Sequence, residues 1–101
     1  MTEVGWPFAD TPDTEVIVLE RILDGEAHLL LVTHDEEDGG WQFLDGEQVF
    51  EEDAMFVCLF EMIDFDPSLR ELADLPLGWH AWRASPEQPW QKAAGDPPVS
   101  R

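Results

Sequence analysis

His34 is followed without interruption by Asp35, Glu36, Glu37 and Asp38, which puts one imidazole beside four carboxylates and makes metal binding the first chemistry to test. A calcium loop of the EF-hand type needs oxygen ligands at positions 1, 3, 5 and 12 with glycine at 6. Counted from Asp35, the fifth position is Gly39 and the twelfth is Gly46, so the pattern fails. Zinc sites of the His-Glu-x-x-His kind are absent, and His28, His34 and His80 show no ligand spacing. The acidic run therefore reads as a solvated loop, and neither a metal nor a cofactor is expected.

Nucleophilic catalysis needs a hydroxyl or thiol on a turn or helix end with a base in reach. Ser68 opens a helix, Ser85 precedes a proline, and Ser100 lies in the tail; none occupies a Gly-x-Ser-x-Gly elbow. Cys58 sits among apolar neighbours in what reads as mid-helix, where a thiol stays protonated and inert. Glu61 and Asp64 are the acids set in or beside the most apolar segment, although Glu61 is expected to point to solvent. Asp24-Gly25 and Asp38-Gly39-Gly40 lack the spacing and the lysine of a phosphate loop. No catalytic residue is assigned, and the balance of residue types favours a non-enzymatic protein. The rival reading is a small ligand-binding or enzymatic domain with a pocket between sheet and helix, using His80 or His34 and a neighbouring carboxylate.

Whatever these residues do, a short series of elements must hold them. Trp6-Pro7-Phe8 and Asp10-Thr11-Pro12-Asp13 predict an extended N-terminal arm over residues 1–13 that docks two aromatics, because the prolines interrupt both helix and ladder. The β-branched residues of Glu15 to Leu23 predict a strand, Asp24-Gly25 a hairpin turn, and Ala27 to His34 its partner. Trp41, Phe43 and Leu44 predict a third strand of the meander, stopped by Asp45-Gly46. Glu51-Glu52-Asp53 stands where a helix N-terminus favours acids, so a helix is expected from near Asp53 through Ile63, apolar on nearly every side. Asp66-Pro67 caps a second short helix through Leu69 and Leu72, and Gly78 to Ala84 forms the last strand. Trp90 pins the tail to the body, while residues 93–101 are expected to be loose. The resulting fold class is α+β, with a small antiparallel sheet of about four strands and one or two helices packed on one face.

The 101 residues suit a single domain spanning 1–101, and 44% hydrophobic residues with five Trp and six Phe supply one core. Net charge is −18, and residues 1–74 hold 21 acids against Arg21 and Arg70 alone, a net of −19. Twelve acids and no Lys or Arg lie from Asp35 to Asp66. Such a surface repels nucleic acid and anionic lipid and attracts basic proteins, and it also favours solubility in salt. A lone cysteine excludes an internal disulfide. The longest apolar stretch, Ala54 to Phe60, falls far short of the roughly 20 residues that span a bilayer. A bacterial-type cytoplasm is the expected location, with no nucleic-acid or membrane partner. The surplus apolar helix surface leaves a homodimer open as a further expectation.

Asp38-Gly39-Gly40-Trp41-Gln42-Phe43-Leu44-Asp45-Gly46, followed by Asp66-Pro67-Ser68-Leu69, Leu72, Leu75-Pro76 and Gly78, resembles a group of small bacterial proteins related to domain of unknown function 2185, some of them immunity proteins of polymorphic toxin systems. The resemblance covers about half of the chain. That family's first motif commonly reads Asp-Ser-Gly-Trp-Arg-Phe; Gly39 stands here for the serine and Gln42 for the arginine. The resemblance implies a protein partner and no catalytic residue. With the charge, it places Asp35, Glu36, Glu37, Asp38 and Trp41 at the partner surface, the acids for steering and the indole as anchor.

Overall fold

A computed structural model of the chain describes residues 6–95 and residue 97. Among these residues six strands, β1 (Glu15–Leu19), β2 (Leu31–His34), β3 (Trp41–Leu44), β4 (Ala54–Cys58), β5 (Trp79–Trp82) and β6 (Gln91–Ala94), form one open sheet. Its order is β4-β1-β3-β2-β5-β6, with β1 and β3 parallel and every other neighbouring pair antiparallel. Two short α-helices, α1 (Glu20–Leu23) and α2 (Leu59–Phe65), and 3₁₀ turns at Glu51–Asp53 and Pro67–Leu72 complete the elements. The α+β class is as expected; the sheet has six strands rather than about four.

Three expectations need correction, each for a physical reason. Asp24-Gly25 does not close a hairpin between β1 and β2. It ends α1, where Gly25 takes φ +87° and the amides of Glu26 and Ala27 both donate to the Arg21 carbonyl. An Asp-Gly pair serves a hairpin and a helix C-terminus equally, because both need a positive φ. β1 therefore pairs with β3 and β4, and β3 lies between β1 and β2, so the first three strands are not a meander. The apolar run from Ala54 to Ile63 is not one helix. Its first half is β4, paired with all of β1, and only Leu59–Phe65 is helical, burying Leu59, Met62 and Ile63 at helical spacing. Cys58 thus lies at the junction of strand and helix. Ala93 and Ala94, read as part of a loose tail, belong to β6; residues 96 and 98–101 of that tail, and residues 1–5 of the arm, lie outside the described residues.

Two bounds also move: Glu20–Leu23, read as the end of the first strand, is α1, and the strand expected over Gly78 to Ala84 is β5, followed by β6 rather than last. The docking of the arm and the Asp66 cap are as expected. Phe8 is buried and packs edge-on against Trp41 at 5.3 Å between ring centres, with Trp6 beside it at 5.6 Å from Phe8. Thr14, just after the arm, and Pro12 within it supply the carbonyls that accept from the first amides of α2, Leu59 and Phe60, at 2.8 and 2.9 Å. Asp66 caps the Pro67–Leu72 turn through Ser68 N–H at 3.0 Å. Val16, Val18, Val32, Phe43 and Ala81 turn to one side of the sheet and are fully buried with Leu59, Met62, Leu69, Leu72 and Leu75.

Two arginines staple this layer. Arg83, 5% exposed, sends Nε and Nη2 to the Leu29 carbonyl at 3.0 and 2.9 Å, Nη2 to Asp66 at 2.7 Å and Nη1 to Ser68 Oγ at 3.1 Å. Its guanidinium also lies 4.2 Å from the centre of the Trp90 ring, whose Nε1 donates to Ser68 Oγ. Arg21 grips Asp45 with two bonds, at 2.7 and 3.0 Å, and reaches Asp53 at 3.0 Å. Burial by itself would raise both carboxyls. For Asp66 the bonds from Ser68 and Arg83 overcome it, and for Asp45 those from Arg21 and the Glu47 amide, so both titrate below the usual aspartate range.

Arg83→Leu removes a donor from the Asp66 carboxylate and from three other acceptors; the expected cost is about 3 kcal/mol, read as a lower urea midpoint. Arg83→Lys recovers little of it, since one ammonium cannot span the set. Because the folded-state pKa values of Asp45 and Asp66 are depressed, their stabilisation is complete above the unfolded value of about 4 and is lost as pH falls below it. Urea melts from pH 7 to pH 2 should show Asp66→Asn already weakened at neutral pH and losing less than the native chain in acid.

Candidate functional site

The side of the sheet opposite the core carries a single row of directly opposed residues that crosses all six strands: Ala93, His80, Thr33, Gln42, Ile17 and Phe56. Opposed residues share a face, so the row follows from register alone. Thr33 Oγ1 donates to Gln42 Oε1 at 3.1 Å across the β2–β3 pair. His80 is buried, and its Nδ1–H donates to the Gly95 carbonyl at 2.7 Å. Thr33, Gln42 and Ile17 are half-buried, and Phe56 is 62% exposed. A second row, Trp82, Leu31 and Leu44, runs parallel to it, with Trp82 37% exposed.

The acidic turn between β2 and β3 overlooks this face. The Asp35 amide donates to the Gly40 carbonyl at 2.8 Å and the Gly39 amide to the Asp35 carbonyl at 3.0 Å. Asp35 accepts from the Glu37 amide and Asp38 from the Gly40 amide, so both carboxylates also hold the turn that displays them. A side chain at position 40 would sit 3.0 Å from Asp38 Oδ1, and glycine there keeps that bond intact. All four acids, Asp35 to Asp38, are exposed.

Two hollows border the turn. One of about 510 Å³ is lined by Thr33, His34, Gln42 and the acids Asp35, Glu36 and Glu37. The other, of about 180 Å³, is lined by Ile17, Gln42, Phe56 and the acids Glu15, Asp35 and Asp38. Asp35 and Gln42 belong to both, and among the described residues no Lys or Arg lines either. Both lie against the acidic turn, whereas the rival reading placed its pocket between sheet and helix. A cation with an apolar stem meets there carboxylates, an amide oxygen and an aromatic ring.

Trp41, expected at the partner surface, is in the core. It is 2% exposed, its indole N–H donates to Asp10 at 3.2 Å, and its ring stacks on His34 at 3.8 Å. The structure therefore brings the four acids to the surface together and withdraws the indole behind them. The exposed aromatic of this face beside the acidic turn is Phe56, hidden in sequence within an apolar run that reads equally as helix. His34 and His80 each direct Nδ1–H to a backbone carbonyl, that of Leu75 for His34. Ser68 Oγ is bonded to Asp66, Arg83 and Trp90. Among the described residues, no group of three or more His, Cys, Asp or Glu side chains is arranged to hold a metal ion.

No protein-family model, curated protein or solved structure matches this chain.

Urea denaturation separates the two aromatics. Trp41→Ala, which empties a core position, should cost about 4 kcal/mol, whereas Phe56→Ala should change stability by no more than about 0.5 kcal/mol.

Proposed function

We propose that the chain is a non-enzymatic interaction module whose acidic turn and open sheet face receive a basic partner protein, as an immunity-type protein would receive a toxin. The observation that carries this reading is the lining of the two hollows: five carboxylates, from Glu15, Asp35, Glu36, Glu37 and Asp38, with no Lys or Arg beside them among the described residues. Carboxylates grouped without counter-charges steer a cationic surface during encounter. The half-apolar strip of Ile17 and Phe56 beside them gives the bound partner something to desolvate. The same field disfavours nucleic acid and anionic lipid. The resemblance of residues 38–46 and 66–78 to the immunity-protein group points to the same class of partner. A cytoplasmic setting belongs to this proposal and rests on the single cysteine; no described helix is long and apolar enough to cross a membrane.

A second reading is favoured by the 510 Å³ hollow, whose size lies within the range of small-molecule sites. Its acidic lining would select a small organic cation, and a thermal-shift screen of polyamines tests that directly.

The test of the main reading begins with affinity capture from lysate of the source organism at low and raised salt. A captured basic protein is then measured against the native chain and a variant in which Asp35 and Asp38 become Asn, and Glu36 and Glu37 become Gln. Association should slow by about tenfold at low salt, with a flatter salt dependence and little change in dissociation. Unchanged association kinetics overturn the reading.

A further inference from the structure

We propose that the free edge of β4 takes an extended, lysine- or arginine-bearing segment of the partner as a seventh strand, docked on the backbone of Phe56. The inference rests on the basic-partner reading above and adds the mode of contact. The Leu59 amide donates to the Thr14 carbonyl, which fixes the parity of the β1–β4 ladder. Bonded pairs recur at every second position, so Val57 and Met55 turn their backbone groups toward β1, and Ala54, Phe56 and Cys58 turn theirs away. Two side observations agree: the Cys58 amide, facing out, is met by Glu61 Oε1 at 2.8 Å, and the Ala54 amide by the Glu51 carbonyl. Phe56 remains, central in the strand, with both N–H and C=O directed away from β1, without a partner among the described residues, and with its ring exposed.

Sheet edges that are not for use are blunted by charge, proline or a bulge. The opposite edge, β6, carries Lys92 and follows Pro89. β4 reads Ala-Met-Phe-Val-Cys, with no such device in the strand. Charge decides the occupant. Glu51, Glu52 and Asp53 precede β4, Glu61 and Asp64 follow it, and the nearby Arg21 is held by Asp45 and Asp53. A second copy of this chain would set acid against acid: antiparallel pairing at Phe56 brings the Glu51–Asp53 turn of one copy toward Glu61 of the other, and parallel pairing opposes identical turns. A basic segment with alternating apolar residues satisfies the backbone, the ring and the carboxylates together.

The probe is a short peptide alternating lysine and valine, compared with one of equal charge alternating lysine and proline, which cannot join a ladder. Hydrogen exchange on the native chain should show the Phe56 amide protected by the first peptide and not by the second. Phe56→Pro, which removes an outward N–H and the ring and fixes the backbone in a form an edge strand tolerates, should weaken binding of the first by about tenfold and leave the second unaffected. Equal binding of both peptides, with the Phe56 amide still exchanging freely, overturns strand addition and leaves the acidic module standing. Failure of both peptides to bind at low salt removes the two readings together. Protection of Phe56 without any peptide, with a dimer in sedimentation, overturns the proposal in favour of self-pairing.

Discussion

The interaction on which the rest of this structure depends is the buried guanidinium of Arg83. It joins four parts of the chain: the end of β5, the Leu29 carbonyl ahead of β2, the Asp66–Ser68 cap and the ring of Trp90. Burial of a full charge is tolerable only when its donors are met and an anion lies alongside, and Asp66 is that anion. The cap of the 3₁₀ turn, the exit of β5 and the return of the chain toward β6 are therefore one assembly. Arg21 does the same at the other end of the sheet, where it binds Asp45 at the close of β3 and Asp53 just before β4.

This use of cations shapes the exterior. The chain has five Lys and Arg residues against 23 acids. Arg21 and Arg83 are occupied within the fold, and Lys92 is paired with Asp74 and the Glu71 carbonyl. Little positive charge is left to neutralise the acidic turn or the ends of β4. The same residues that hold the sheet together thus leave its open side and free edge under an uncompensated negative field, and the candidate site owes its sign to the core.

How much of this was legible in the sequence depended on whether a signal had one structural meaning. Asp66-Pro67 has essentially one, a helix start, and it was read correctly. Trp41–Leu44 and Trp79–Trp82 alternate cleanly and lie in strands. Asp24-Gly25 has two meanings, and choosing between them required knowing what β1 pairs with. The run from Ala54 to Ile63 gave no period at all, since strand and helix meet at Cys58 without a polar residue between them. Gln91–Ala94 has poor strand propensity and is a strand only because β5 offers an edge. At the site, four consecutive acids had to be solvated, and they are. The burial of Trp41 was not decidable from its neighbours, because it depends on Phe8 and Asp10 arriving from the arm.

The placement of β3 between β1 and β2 bears on how the chain is made. As the protein leaves the ribosome, β1 emerges with neither neighbour available: β3 must still turn back beside β2, and β4 comes later still. Non-local pairings of this kind assemble slowly and leave apolar strands such as Val16-Ile17-Val18-Leu19 exposed to other nascent chains. Like-charged chains repel one another in that interval. Acidity then acts as a safeguard for the unfinished fold, keeping copies apart until β3 and β4 close on either side of β1.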